Sequence, residues 1–137
     1  MNMDFLNRWS PQIFGVMRFI TGALFATHGA QKVLNAFGGL PPGAGPWWAI
    51  NIGGWIELIG GLLIAVGLLT RFTAFICSGQ MAVAYFYGHV YLAQTKSFWP
   101  NVNGGELAVI FCFIFLVIAA QGPGAFAIDN LLRRRNG

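Results

Sequence analysis

Arg18, His28, Lys32, Glu57, His89 and Glu106 stand inside apolar runs of this sequence, with Tyr85 as a polar companion. Carboxylates and imidazoles exchange protons, a phenol donates a hydrogen bond, and arginine and lysine hold positive charge. A charge in hydrocarbon costs about 2.5–3.5 kcal/mol on insertion scales, so each of these residues needs a partner or a task. A quinone headgroup gives them one. It needs donors for its two carbonyls, an apolar slot for its tail and a proton path to one membrane face. On this reading His28, Glu57, Tyr85, His89 and Glu106 form the headgroup and proton site. Arg18 and Lys32 tune its charge, and Phe25, Phe86 and the loop tryptophans, Trp48 among them, supply walls.

Other chemistries are served less well. Two histidines and two carboxylates suit a metal, but there is no E-x-x-H pair, and no metal is assigned. Haem ligation would rest on His28 and His89 alone. Cys77 and Cys112 should lie about 24 and 12 Å below one surface at the helical rise, too far apart to form a disulfide. There is no nucleotide loop, haem-attachment motif or nucleophile elbow. Each polar residue also has a structural reading. Glu57 with His28 or Lys32 could be an ion pair that fixes helix register. Glu106 fits a capping box begun by Asn103. Arg18 and Lys32 could snorkel to headgroups, Tyr85 could be an interior aromatic, and Trp47 and Trp48 could be belt residues. Arg71 reads as a topology determinant and helix-end cation.

The elements that must position these groups are all helical. Hydrophobic residues make up 56% of the 137, mean hydropathy is +0.63, and 9% are charged. A soluble domain carries about 25% charged residues, so lipid is the expected solvent. The expected fold is all-α: one domain, residues 1–137, built as a four-helix transmembrane bundle with interfacial segments at both tails. The spans are expected at 13–34, 50–69, 72–93 and 104–120. No signal peptide is expected, because no cleavage site follows the first run. The very short turn between spans two and three makes them antiparallel neighbours. A Gly- and Pro-rich loop joins spans one and two, and Gly122-Pro123-Gly124 stops span four.

Arg8, Arg71 and Arg133 to Arg135 share one side of this topology. The positive-inside rule then puts both termini in the cytoplasm. At about 1.5 Å per residue, His28, Glu57, Tyr85 and His89 fall about 6–12 Å below the outer helix ends, and Lys32 and Glu106 about 3 Å below. Arg18 lies in the inner third. On span one, Arg18, Thr21, Phe25, His28 and Lys32 share one stripe. On span two, Gly54, Glu57 and Gly61 share a face, and Gly53, Gly60 and Gly67 repeat by seven, so neighbouring helices can approach closely, within the bundle or between copies. The net charge of +4 has no basic face outside the tails, which excludes nucleic acid as a partner. The expected partners are the bilayer and either a redox protein or further copies of this chain.

The segments RFITGALFATHGAQK (18–32), ELIGGLLIAVGLLTR (57–71), MAVAYFYGH (81–89), NGGEL (103–107) and GPGAFAID (122–129) resemble the DoxX family of small bacterial membrane proteins. One departure is Ala127, where the family often has serine. The resemblance implies a four-helix membrane bundle located in a bacterial inner membrane. It also implies kinship with the membrane subunit of thiosulfate:quinone oxidoreductase, or with membrane partners of redox and thiol-stress proteins. Two alternatives to a quinone-linked component stay open. One is a non-enzymatic anchor or scaffold. The other is a small-molecule or proton transporter, although no inverted repeat is present.

Overall fold

A computed structural model describes residues 3–135, and these form only helices and their connections. Helix α1 runs Asp4–Val33 and α2 runs Trp47–Val66. Helix α3 starts at Thr70 and continues past Val83 as a π-helical segment, Ala84–Leu92. After the short α4 (Pro100–Asn103) come α5 (Glu106–Gln121) and the C-terminal α6 (Ile128–Arg135). Four long rods therefore pack together, close to the four apolar runs of the sequence. Helices α1 and α2 are long and apolar enough to cross a membrane, and α5 is a shorter apolar helix. The expected N-terminal interfacial segment is the first part of α1, which passes through Pro11 without a break. Met1 and Asn2 of that segment lie outside the described residues.

Glycines set the closest contacts. A Cβ on Gly22 would meet Ala65 N at 2.5 Å and Gly61 O at 2.6 Å, and one on Gly61 would meet Ala26 N at 2.5 Å. Gly29 and Gly54 repeat the arrangement one stretch along, so α1 and α2 touch backbone to backbone, as small residues allow. Gly53 and Gly60 face α3 instead. Added Cβ atoms there would meet Gln80 Nε2 at 3.1 Å and Cys77 Sγ at 2.5 Å. The seven-residue repeat thus packs α2 inside the bundle. Its third member, Gly67, has φ of 72° and ends α2. Its N–H donates to the Ile64 carbonyl and that of Leu68 to Leu63, a Schellman closure that needs the left-handed conformation.

The centre is aromatic. Phe25 of α1 lies 4.6 Å from Phe115 and 5.2 Å from Phe111, both on α5, and Ile64, Ala74, Met81, Tyr85 and Ile118 are buried around them. Large apolar residues, such as Phe19, Leu24, Ile59, Leu62, Phe72, Phe75, Phe113 and Val117, are exposed on the outward faces. Contiguous apolar surface of that extent suits contact with lipid. Both cysteines are free, Cys77 buried and Cys112 half-buried, but they are not at the different depths expected: Ser78, next to Cys77, donates to the Cys112 carbonyl at 2.8 Å, so helix packing sets the two at nearly one level.

Candidate functional site

Polar side chains gather at both ends of the bundle. The tail end holds the start of α1, the α2–α3 turn, the end of α5 and α6. Arg18 is fully buried there, at 0% exposure. Its Nε donates to the Pro123 carbonyl at 2.6 Å. One terminal nitrogen donates to Ile64 and Ala65 carbonyls at 2.5 and 2.6 Å, the other to Ala125 and Phe126 at 3.1 Å each. Five N–H donors meet five carbonyls, the full capacity of a guanidinium. Two of the carbonyls belong to the last turn of α2, which carries partial negative charge; that of Ile64 also accepts the Gly67 N–H of the helix cap.

Asp129 of α6 mirrors this at the start of α3. Its carboxylate accepts from Leu69 N–H at 2.8 Å, Thr70 N–H at 2.9 Å and Thr70 Oγ1 at 2.7 Å. A helix N-terminus is thus capped by a side chain about sixty positions away in the chain, not by its own preceding residue. The cap also holds Leu69 at φ of 51°, a left-handed geometry costly for a leucine. Partial burial opposes the charged form of Asp129. The hydrogen bonds from Thr70 and Leu69 and the Arg18 charge outweigh it, and they hold the carboxyl below its ordinary range. Arg71 completes the end by donating to the Ala119, Ala120 and Gln121 carbonyls at 2.9, 2.6 and 3.1 Å, so it serves as the cation at the end of α5.

The opposite, loop end contains the other sequence-derived candidates, in two groups. In the first, Glu57 of α2 is buried at 1% exposure. Its Oε1 accepts from Lys32 Nζ at 2.5 Å and from Gln80 Nε2 at 2.9 Å. Three helices therefore meet at one carboxylate. Gln80 Nε2 also reaches the Gly53 carbonyl at 3.3 Å, an approach that the missing Cβ of Gly53 permits. The second oxygen, Glu57 Oε2, and Gln80 Oε1 are both buried and accept no hydrogen bond from any described residue. Gln12 Oε1 is a third such atom, far down α1 and outside this cluster. A buried acceptor without a donor costs about 1–3 kcal/mol, so the cluster favours a donor brought to it.

In the second group Tyr85 and His89 lie in the π-helical continuation of α3. The Tyr85 hydroxyl donates to the Phe98 carbonyl. His89 Nδ1 lies 3.1 Å from the Asn103 carbonyl, which makes that nitrogen the donor and leaves Nε2 as acceptor in the neutral ring. Asn103 ties the loop further, through Nδ2 to the Ser97 carbonyl at 2.9 Å and through Oδ1 to the Gly105 N–H at 2.8 Å. These bonds shape the loop before α5. No hydrogen bond joins the two groups among the described residues.

The remaining candidates stand apart from both. His28 meets Phe111 edge-on at 6.2 Å between ring centres. Trp48 is half exposed and packs on Tyr87 at 5.4 Å. It lies about 13 Å along α2 from Glu57 at the helical rise. Glu106 is exposed in the first turn of α5. The expected Asn103–Glu106 capping box does not form. Gly104, at φ of 72°, ends α4 right after Asn103, so Asn103 caps a turn and Gly105 precedes the new helix. Sequence reasoning missed Gln80, an uncharged polar residue inside an apolar run, because it counted only charges.

A family model described as DoxX matches residues 14–90, a stretch that includes Arg18, Lys32, Glu57, Gln80, Tyr85 and His89. A Haemophilus influenzae protein called "Uncharacterized protein" is 36% identical over 130 residues, covering 93% of this chain and 96% of its own length. "Inner membrane protein YqjF" of Escherichia coli is 31% identical over 125 residues, 85% of each chain. No solved structure matches.

Proposed function

The chain belongs to the DoxX family of membrane proteins, and on that premise we propose that it is a quinone-linked redox component of the bacterial inner membrane, with its headgroup site at Lys32, Glu57 and Gln80. The location follows the name of its Escherichia coli relative. The four rods are its spans. Arg8, Arg71 and Arg133 to Arg135 gather at one end, which the positive-inside rule assigns to the cytoplasm together with both termini.

One observation carries the site: a fully buried carboxylate, held by a cation and an amide from two other helices, keeps one oxygen without a donor. An ion pair that served register alone would reach higher stability with that oxygen satisfied. A quinone-type headgroup carries oxygens that Lys32 Nζ and Gln80 Nε2 can address and, when reduced, hydroxyls that Glu57 can address. Lys32 links the cluster to the loop end, since its side chain is 26% exposed while that of Glu57 is 2% exposed. His28 and the Tyr85–His89 group lie toward the same end of the bundle but make no hydrogen bond to this cluster among the described residues.

The test is quinone binding by the purified full chain, compared with Glu57→Gln and His89→Ala. Loss of binding in Glu57→Gln, with His89→Ala affected less, is the expected result. Binding unchanged in both variants removes the site, and co-purification of a soluble redox protein with no quinone bound favours a scaffold.

A further inference from the structure

Arg71 and Arg133 flank a cavity of about 370 Å³ at the tail end, the end opposite Glu57 and Gln80, with Leu69, Phe72 and Asp129 in its lining. Three carbonyls hold the Arg71 guanidinium in place. It lies against Gly122, where a Cβ would come within 3.0 Å of it. Its Nε donates to none of the described residues. Arg133 gives Nη2 to Asn130 Oδ1 at 2.9 Å and keeps its other donors. Asp129 is the acidic residue of the lining. Its oxygens are taken by Leu69 and Thr70, and it lies in the field of Arg18. The cavity is therefore cationic, and Arg134 and Arg135 follow on the same helix. Phe72 also lines a groove of about 280 Å³ along the α2–α3 seam. Gly60, Thr73 and Cys77 are the buried residues of that groove, and Trp55, Ile59 and Ile76 are exposed walls. Its lining is almost wholly apolar and runs from Trp55 to Leu63, about 12 Å at the helical rise. A cationic cavity and an apolar groove thus meet at one exposed phenylalanine.

We propose that this place binds one anionic phospholipid of the cytoplasmic leaflet, its phosphate held between Arg71 and Arg133 and one acyl chain lying in the α2–α3 groove. The leaflet follows from the orientation given above, and the site is independent of the quinone-linked reading. Guanidinium groups match phosphate oxygens in charge and in the spacing of their N–H donors. A zwitterionic headgroup would bring its own cation among the arginines, whereas an anionic one brings none. A soluble anion would use the cavity and leave the groove empty. A phospholipid uses both, because its head belongs at the helix ends and its chain in the hydrocarbon beside them. The exposed Leu131 and Leu132 beside the arginines of α6 suit a helix lying at that same interface.

The experiment measures binding of phosphatidylglycerol and phosphatidylcholine with identical chains to the delipidated full chain in neutral detergent, by native mass spectrometry. Phosphatidylglycerol should bind about ten-fold or more tightly. Arg133→Gln should weaken it about five-fold, and Arg135→Gln, outside the lining, less than about two-fold. Arg71→Gln should act in the same direction as Arg133→Gln. Arg133 makes a single side-chain hydrogen bond within the described residues, so its variant keeps the fold and carries the test should Arg71→Gln not fold. Glycerol 3-phosphate at millimolar concentration should not displace the lipid. The chain is located with dibrominated lipids, since bromine quenches an indole at contact. Brominated phosphatidylglycerol should quench the emission that Trp55→Phe removes, and brominated phosphatidylcholine at the same mole fraction should quench it less. Equal binding of the two lipids overturns the anionic headgroup site. Equal losses in Arg133→Gln and Arg135→Gln overturn it too, leaving a general attraction of the basic tail. Displacement by glycerol 3-phosphate makes the ligand a soluble phosphate and overturns the lipid. Equal quenching of Trp55 by both brominated lipids overturns the groove.

Discussion

At the tail end Arg18 gives five N–H groups to five carbonyls, and Asp129 accepts three hydrogen bonds at the start of α3. At the loop end Glu57 is equally buried, yet one of its oxygens has no donor, and neither has that of its partner Gln80. Both ends put charge where water is scarce. The desolvation of Arg18 is repaid in full by its hydrogen bonds, and that of Glu57 only in part. A closed network fixes geometry. An open one keeps an unspent interaction available to something outside the chain. Burial alone therefore does not separate structural charges from functional ones, whereas the completeness of their hydrogen bonding does.

This contrast makes graded predictions. The largest effect belongs to Arg18→Met. It removes five hydrogen bonds at once and should cost at least about 3–5 kcal/mol. Size-exclusion chromatography and thermal melting in detergent should show loss of the folded species. A folded Arg18→Met protein with an unchanged melting temperature would break the contrast at its stronger side.

Next comes Asp129→Ala, a lost helix cap, at about 1–2 kcal/mol. The same carboxylate predicts an acid dependence. Its folded pKa lies below the ordinary value. Its stabilisation is therefore complete above the ordinary carboxylate range, near pH ~4, and is lost as pH falls through the folded value. Asp129→Asn should flatten that part of the stability–pH curve, measured by melting between neutral and acid pH.

The smallest stability effect should come from Lys32→Met combined with Glu57→Met. Replacing both members of a buried pair by apolar residues is often neutral or stabilising. The melting temperature should stay within a few degrees of the parent while quinone binding is lost. A double variant as unstable as Arg18→Met would make the loop end a second structural clamp and remove its claim to function.

The four rods were legible because hydropathy runs and glycine spacing both record helix–helix contact. The same spacing marked Gly54 and Gly61 as a close-approach face, and α1 lies against it. Lys32 with Glu57 was legible as an ion pair because opposite charges in hydrocarbon seek one another. The role of Arg18 was not legible. Its partners are main-chain carbonyls 46 to 108 positions away, and a carbonyl carries no side-chain signature. Asp129 stood in a recognisable segment, but its task depends on where α6 folds back. The layer expected across four helices divides into two hydrogen-bonded groups, and Glu106 turns outward. Depth along a helix is readable from residue counts, whereas the azimuth at which a side chain leaves a bundle is set by packing. The π-helical stretch under Tyr85 and His89 shifts that azimuth further, and nothing in its composition announced it.

The bridges of the tail end also impose an order on synthesis. Arg18 leaves the ribosome early, but three of its carbonyl partners lie at Pro123, Ala125 and Phe126, and the cap on α3 waits for Asp129. Until residues 123–129 emerge, the cation in the first rod has only its two α2 carbonyls, and the amide groups at the start of the third have no side-chain cap. A chain cut at Gln121 would possess every long helix and the two Arg18 bonds to α2, but would lose the other three and the Asp129 cap. The segment after α5 is thus a latch on the first and third rods, and this end of the bundle closes only after Asp129 has been made.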